Sequence, residues 1–174
     1  MKKELTSLST ESLLLRPIVE SDLGNIFLGL SNPMVTQHYA VHYDSLEATQ
    51  DQMAWYREPE QYWWAICSPD NATFFGAGGL NDRSQAHKKA EIGLWLLPDY
   101  WGKGIMTMAM PLICNYGFEQ LGLHRIEGFV ESTNTNCNRA MAKLDFKLEG
   151  TMQDCELKNG QFISIDIYAK FNIG

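Results

Sequence analysis

Cysteine and positive charge are both in short supply in this sequence of 174 residues. The four cysteines stand far apart, and none is paired at the spacing of a zinc ligand set or a disulfide framework. We therefore expect no metal site and no disulfides, as is typical of proteins of the reducing cytoplasm. With 14 basic against 21 acidic residues, the net charge of −7 argues against direct nucleic-acid binding, which needs basic patches.

Long apolar runs are also missing. No stretch approaches the roughly 18 apolar residues that a membrane-spanning helix requires, so we expect no membrane partner. The opening Met1-Lys2-Lys3-Glu4 is not followed by an apolar run, so we expect no signal peptide. The length predicts one domain over residues 1–174. An acidic surface suits a basic substrate, although solubility alone also explains it.

The most informative stretch is Glu91–Thr107, EIGLWLLPDYWGKGIMT. It begins with the composition of a strand, turns at Pro98, and continues after a glycine-rich corner as a helix from Ile105. A helix that starts at such a corner leaves backbone N–H groups unpaired, and these groups, with the helix dipole, bind phosphate oxygens. Gly102 and Gly104 let the backbone approach a bulky anion. The pattern therefore predicts a pyrophosphate cradle.

Two familiar phosphate motifs do not fit this corner. A dinucleotide fingerprint would need a third glycine at Thr107, and a P-loop would need Ser or Thr at Ile105. A plain structural turn before a helix is the competing interpretation of the two glycines. The corner by itself leaves open both that turn and an unrelated phosphate-binding protein.

The residues around the corner resemble the GCN5-related N-acetyltransferase (GNAT) superfamily. Its Gln/Arg-x-x-Gly-x-Gly/Ala signature falls on Asp99 to Gly104. The next part of the family pattern is a strand that ends in Asn134-x-x-Cys137, followed by a short helix that closes in Phe146. Strand, corner, helix, strand and short helix thus follow one another in the family's order.

This resemblance extends from Leu13 to Ala169 and is strongest to the RimJ/RimL-type branch, which acetylates ribosomal-protein N-termini. Asp99 departs from the signature's Gln or Arg, and Asp145 stands where this branch often has Gly. The resemblance implies an acetyl-CoA-dependent N-acetyltransferase that passes acetyl directly to a primary amine, here a protein N-terminal α-amine. The alternatives are a polyamine- or aminoglycoside-like acceptor and a non-catalytic coenzyme A-binding module.

The order of predicted elements, β-αα-βββ-α-β-α-ββ, is an α+β arrangement, and the resemblance implies the GNAT fold. We expect a mixed, mostly antiparallel sheet of seven strands, splayed at its centre and flanked by about four helices. The strands are predicted over 13–18, 61–67, 73–80, 91–97, 124–131, 145–152 and 161–171. The helices are predicted over 23–30, 45–56, 105–120 and 135–144, with a loop over 35–44.

The implied cosubstrate is acetyl-CoA, without a metal. Its pantetheine arm would lie between the central strand and the strand after the long helix, against backbone groups that would otherwise lack partners. Core packing is the other interpretation of the strand residues. The coenzyme-binding residues that the resemblance implies are Trp95, Leu96, Leu97, Trp101, Gly102, Lys103, Gly104, Ile105, Met106, Thr107, Asn134, Asn138 and Lys143.

Acetyl transfer needs a neutral amine, a stabilised oxyanion and a proton for the leaving thiolate. Cys137 stands where the branch has the serine of its Asn-x-x-Ser motif, so the resemblance implies a proton donor there. A packed cysteine and a covalent acetyl carrier are the other hypotheses. Glu156 is the predicted base, because its surroundings resemble the segment with a catalytic glutamate in the ribosomal L7/L12 enzymes. Glu91 on the central strand is the competing candidate.

The acceptor side is predicted around the loop of residues 35–44. Tyr39 and Tyr43 in that loop, together with Glu91, are expected to contact the amine substrate. The resemblance suggests a ribosomal-protein N-terminus as that substrate. A homodimer is a further expectation from the resemblance alone.

Overall fold

The fold is described from a computed structural model, which covers residues 4–39 and 41–173. Its elements in chain order are β1 (Leu8–Ser9), β2 (Leu14–Pro17), α1 (Leu23–Leu30), α2 (Pro33–Thr36), α3 (Leu46–Tyr56), β3 (Tyr62–Cys67), β4 (Phe74–Ser84), β5 (Lys89–Leu96), α4 (Ile105–Glu119), β6 (Arg125–Glu131), α5 (Thr135–Lys143), β7 (Lys147–Lys158) and β8 (Gln161–Phe171). None of the helices in these ranges is long and apolar enough to cross a bilayer.

The strands form one mixed sheet in the order β1-β2-β3-β4-β5-β6-β8-β7. Strands β5 and β6 run parallel, and every other neighbouring pair is antiparallel. The predicted α+β class and the mostly antiparallel mixed sheet are therefore confirmed. The described residues hold eight strands and five α-helices, rather than the expected seven and about four.

Strand β1 and helix α2 account for the difference from the sequence prediction. Strand β1 has only two residues, too few for any periodicity to be recognised. Helix α2 begins at Pro33, and the Asn32 side chain accepts a hydrogen bond of 2.9 Å from the Met34 amide. Asn at the cap and Pro at the first helical position favour a helix start. The loop predicted from residue 35 is shortened accordingly.

Strand β7 is longer than predicted and reaches Lys158. The turn that follows has φ values of 50° at Asn159 and 77° at Gly160, which a two-residue hairpin turn requires. Strand β7 is an edge strand with two bulges, the second between Met152 and Glu156. Glu156 therefore lies within an exposed strand and not in the link before it.

Helices cover both faces of the sheet, but not over its whole width. On the first face, Ala109 and Ile113 of α4 share a buried cluster with Ile92 and Ile126 from the two parallel strands. On the second face, α1, α2 and α3 pack over β3, β4 and β5, in a cluster that includes Trp95. Strands β6, β8 and β7 contribute no buried residue to that second cluster.

Helix α1 rests directly on Trp95, which offers a test of the second-face packing. A Cβ at Gly29 would lie 2.1 Å from the Trp95 ring, whereas a Cβ at Gly24 in the same helix would meet no atom within 4 Å. We expect Gly29→Ala to lower the free energy of unfolding by about 1–3 kcal/mol through overpacking. Gly24→Ala should raise it by up to about 1 kcal/mol, because alanine favours the helix. Urea unfolding measures both, and equal changes would contradict this packing.

Candidate active site

The two parallel strands are joined over only three residue pairs. These are Lys89↔Arg125, Ala90↔Ile126 and Glu91↔Glu127. Beyond them, β5 remains paired with β4 on its other side, and β6 remains paired with β8. The facing backbone edges of 92–96 and 128–131 therefore border an open gap. The predicted central splay is confirmed.

The glycine corner follows directly from the end of β5. Gly102 and Gly104 have φ values of 73° and 76°, in the left-handed region that glycine adopts without strain. Gly104 is the N-cap of α4, and no side chain caps the helix. The Met108 amide bonds back to the Gly104 carbonyl at 3.1 Å. The amides of the three residues before Met108 remain available to a ligand, as at any uncapped helix start.

Aromatic residues hold the corner in place. The Trp101 indole donates a hydrogen bond of 2.9 Å to the carbonyl of Leu96, which fixes the corner to the strand end. The Lys103 Nζ lies 5.7 Å from the centroid of the Tyr100 ring. A Cβ at Gly102 would meet no atom within 4 Å, so the space before the helix is open. Free amides, the helix dipole and a lysine together form an arrangement that fits a diphosphate.

Helix α5 starts on the other side of the gap, after β6 ends. The Asn134 side chain is its N-cap and accepts a hydrogen bond of 3.2 Å from the Cys137 amide. The Asn138 amide group donates to the carbonyls of Glu131 and Asn134 and accepts from the Tyr168 hydroxyl. Asn138 thus connects α5 to β6, through Glu131, and to β8, through Tyr168. Its predicted coenzyme contact stays a prediction; both amide hydrogens are already used, so the side-chain oxygen is the group that could accept a further hydrogen bond.

Cys137 is partly buried against the first-face cluster. Burial raises its pKa from the usual 9.0 to about 11. At neutral pH a thiol of this kind is almost entirely protonated, so it is a poor nucleophile. It can still donate a hydrogen bond without losing its proton.

Glu91 is the last β5 residue paired with β6, so it lies where the gap begins. Its side chain is half-buried on the second face and has no hydrogen-bond partner among the described residues. Burial, reinforced by the negative charges of Asp82 and Glu127, raises its pKa from 4.5 to about 7. A carboxylate with this pKa can take up and release a proton near neutral pH.

Two aromatic residues of the second face, Trp63 and Tyr39, lie in the neighbourhood of Glu91. The Trp63 ring lies over Gly93 and donates a hydrogen bond of 3.0 Å to the Asn81 side chain. Burial raises the pKa of Tyr39 well above its usual value, and electrostatic interactions with Tyr56 and with the Glu91 carboxylate add to the rise. Tyr39 therefore stays protonated, and its hydroxyl can donate a hydrogen bond. Two of the three predicted acceptor residues, Tyr39 and Glu91, thus lie within range of an electrostatic interaction.

The other predicted residues lie farther from Glu91. The Tyr43 hydroxyl donates to the Gln52 side chain at 3.1 Å, and its amide bonds to Leu30, so this tyrosine anchors its loop to α1 and α3. Lys143 is exposed at the last turn of α5. Glu156 is exposed on β7, which lies two strands beyond β6 in the sheet. Their assigned roles remain predictions.

Sequence reasoning missed a group of three titratable residues, His38, Glu131 and Lys158, at the end of β6. The Glu131 side chain is only 9% exposed, and its two oxygens lie 2.6 Å from His38 Nδ1 and 2.7 Å from Lys158 Nζ. Burial opposes ionisation of Glu131, but hydrogen bonds from His38 and Lys158 outweigh it and lower the carboxyl pKa. No local sequence pattern predicts this group, because His38 and Glu131 are 93 residues apart in the sequence. Within ranges 4–39 and 41–173, no cluster of His, Cys, Asp and Glu could hold a metal ion.

Comparisons with known proteins agree with this geometry. The family model described as an acetyltransferase (GNAT) domain matches residues 12–147. An uncharacterised N-acetyltransferase of Bacillus subtilis is 32% identical over 93% of this chain and 94% of its own length. The spermidine N(1)-acetyltransferase of Escherichia coli is 27% identical over 88% of this chain and 83% of its own. A ribosomal L7/L12 α-N-protein acetyltransferase solved with coenzyme A matches the fold with a TM-score of 0.83, at 24% identity, over 97% of this chain and 98% of that one.

The glycine corner can be tested with two matched glycines at opposite ends of α4. Gly104 and Gly122 both have positive φ, 76° and 65°, and a Cβ at either would meet nothing closer than 3.7 Å. Each alanine substitution should cost about 1 kcal/mol of backbone strain. Only Gly104→Ala should weaken binding of coenzyme A, by about 10-fold or more, because it disturbs the amides at the start of α4. Calorimetric titration measures this, and equal losses in both variants would contradict the assignment.

Proposed function

The chain belongs to the GNAT acetyltransferase family and is an acetyl-CoA-dependent N-acetyltransferase; from this premise we propose that it acetylates a protein N-terminal α-amine by direct transfer in a ternary complex. The observation that carries the proposal is the Glu91 carboxyl, with a pKa of about 7, at the point where the strands part. We also propose that residues 1–174 act as one domain. The four free cysteines fit work in the reducing cytoplasm.

The coenzyme would be held by backbone more than by side chains. Its diphosphate is assigned to the amides of 105–107 with Lys103, and its pantetheine arm to the edges of the gap. The arm would bond to strand edges that have no other partner, in the manner of an added strand. Backbone N–H groups near Leu96 would then face the oxyanion that develops on the thioester carbonyl.

Glu91 is assigned as the general base in preference to Glu156. A base works best when its pKa is near the working pH and it lies within reach of the proton that it removes. Glu91 meets the first condition and borders the gap, whereas Glu156 is exposed two strands away. Tyr39 and Trp63 would wall the amine site beside Glu91. The sequence alone favours Glu156 as the base, with Glu91 as the competing candidate, so the preference is now reversed.

The pKa of the base favours an α-amine as acceptor. An α-ammonium has a pKa of about 8, so transfer of its proton to Glu91 is nearly balanced. A lysine-like ammonium has a pKa of about 10.4, which makes the same step unfavourable by about 3 units. The half-exposed Phe129 and Met152, on the part of the second face that no helix covers, offer apolar surface for the residues that follow an N-terminus.

A polyamine is the second candidate acceptor. It is supported by the spermidine acetyltransferase that matches most of this chain and by the net charge of −7. An acidic protein attracts a polycation over long range, although this attraction also serves a basic N-terminus. The two candidates differ mainly in the proton that the base must remove.

Cys137 is assigned a hydrogen bond to the leaving sulfur, with its own proton retained. With a pKa of about 11, full proton transfer to an ordinary thiolate of pKa about 8.5 would be unfavourable by 2 to 3 units. A covalent acetyl-cysteine is disfavoured for the same reason. Single-turnover mixing with acetyl-CoA alone should therefore yield no acetylated Cys137, and detection of that adduct would revive the covalent route.

The acceptor class is tested by the free thiol released from acetyl-CoA in the presence of different amines. We expect peptides with a free N-terminus to be acetylated, and the same peptides with a blocked N-terminus to be inert. Spermidine should show a kcat/KM at least 10-fold lower than the best peptide. A clear preference for spermidine would establish the second candidate instead. If none of the amines causes thiol release from acetyl-CoA, the remaining hypothesis is a non-catalytic coenzyme A-binding module.

The base assignment predicts a specific change in the pH profile. In the native enzyme, kcat/KM for the amine should rise with pH through a limb near pH 7, as Glu91 ionises. Glu91→Gln should remove this limb and lower the rate by about 10²–10⁴, the usual contribution of general base catalysis. Glu156→Gln is the control and should keep the limb. If Glu156→Gln removes it while Glu91→Gln does not, the two roles must be exchanged.

Glu91 should also make the free energy of unfolding depend on pH. Its folded-state pKa of about 7 exceeds the usual 4.5, so its ionisation opposes folding. This penalty is absent below about pH 4.5, grows as pH rises, and is complete above about pH 7. Glu91→Gln should therefore stabilise the protein by about 1–2 kcal/mol at pH 8 and hardly at all at pH 4. Urea unfolding at both pH values measures this difference.

A further inference from the structure

The buried Glu131 carboxylate connects three segments that are far apart in sequence. It ends β6, at the side of the gap opposite β5. Its Oε2 lies 2.6 Å from His38 Nδ1, and its Oε1 lies 2.7 Å from Lys158 Nζ in the β7–β8 hairpin. Lys158 also donates to the carbonyl of Gln37 at 2.5 Å. One carboxylate therefore joins the end of β6, the hairpin, and the segment after α2.

The segment after α2 packs on the second face, where Tyr39, Val41 and Tyr43 contact the hydrophobic cluster that includes Trp95. We call residues 37–43 the roof segment, of which Ala40 lies outside the described residues. At one end His38 contacts Glu131, on the β6 side of the gap. Its neighbour Tyr39 interacts electrostatically with Glu91, on the β5 side. The far end is tied to α1 by the bond from the Tyr43 amide to the Leu30 carbonyl, 2.9 Å long.

Both a hydrogen bond and an ion pair stabilise the buried Glu131 carboxylate. A carboxylate can only accept hydrogen bonds, so His38 Nδ1 carries the hydrogen and donates it. The Lys158 ammonium supplies the opposite charge that a buried carboxylate needs. With both donors present, Glu131 is satisfied. Without the carboxylate, His38 and Lys158 would lose the partner that they share. The roof segment would lose its side-chain bond to the end of β6 and keep its bonds to α1, α2, α3 and Lys158.

We propose that Glu131 is a positioning residue, whose bonds to His38 and Lys158 hold the roof segment across the parted strands. The roof then keeps Tyr39 beside Glu91 and limits the access of water to the thioester. The catalytic part of this inference rests on the proposed function. The structural part, that Glu131 holds the roof segment in place, rests on the contacts of Glu131 with His38 and Lys158.

A loosened roof should have two consequences for the reaction. The acceptor amine would lose its ordered wall, so its KM should rise while the KM for acetyl-CoA stays unchanged. Water would also reach the thioester: its oxygen would bond to the acetyl carbon as the carbon–sulfur bond breaks. The products are acetate and coenzyme A, whose thiolate takes up one of the protons of the water. Thiol release without any amine should therefore increase.

The direct test is hydrogen exchange of the roof amides in the coenzyme A complex, measured by mass spectrometry. In Glu131→Gln we expect exchange over 37–43 to be at least 5-fold faster than in the native protein. Asp22→Asn is the matched control, since Asp22 is also buried, at 3% exposure, and is paired with Arg16 at 2.8 Å. It should lower overall stability without a selective change over 37–43. Unchanged roof exchange in Glu131→Gln, or a uniform increase like that of the control, would overturn the proposal.

The activity measurements separate positioning from general damage. For Glu131→Gln we expect an amine KM about 10-fold higher, an unchanged acetyl-CoA KM, and several-fold more thiol release without amine. His38→Asn, which keeps an N–H donor, should behave more like the native enzyme than His38→Leu. If both KM values rise together, Glu131 is only structural. If the native enzyme acetylates no amine, the proposed function fails. The exchange measurement still shows whether Glu131 holds the roof segment in place.

Discussion

The short parallel pairing between β5 and β6 is the constraint on which the rest of the structure depends. Three residue pairs hold the strands together, and the remaining halves diverge, each retained by its outer neighbour. A longer pairing would close the gap and satisfy the backbone groups that a ligand is to meet. A shorter one would separate the two halves of the sheet. The site is therefore a consequence of where the pairing stops.

The residue at that stopping point also carries the proposed chemistry. Glu91 faces Glu127 across the last parallel pair, and Asp82 adds a further negative charge. Because Arg125 and Lys89 are paired with Glu127, they offer Glu91 no hydrogen bond of their own. The carboxyl is thus left without a cation in a half-buried position. The sheet maintains a group that disfavours folding when it is ionised, as is common for catalytic groups.

The sequence predicted what local chemistry determines. The glycine corner, the start of α4 and the Asn159-Gly160 turn follow from residues within a few positions of one another, and all three are found. The environment of Glu91 is set by residues from β4 and β6, so its pKa could not be predicted from its neighbours. The pairing of Glu131 with His38 spans 93 residues. The bulges of β7 depend on its register with β8, which the one-dimensional pattern of β7 does not encode.

Hydrogen exchange with and without coenzyme A tests the central claim most directly, because it maps the ligand onto individual segments. We expect new protection of amides in 92–97, 105–107 and 128–131, along the gap and the corner. A cavity of about 250 Å³ elsewhere, lined in part by Arg83, Lys88 and Leu123, offers the ligand an alternative basic site. Protection confined to that cavity, or absent from the gap, would contradict the account.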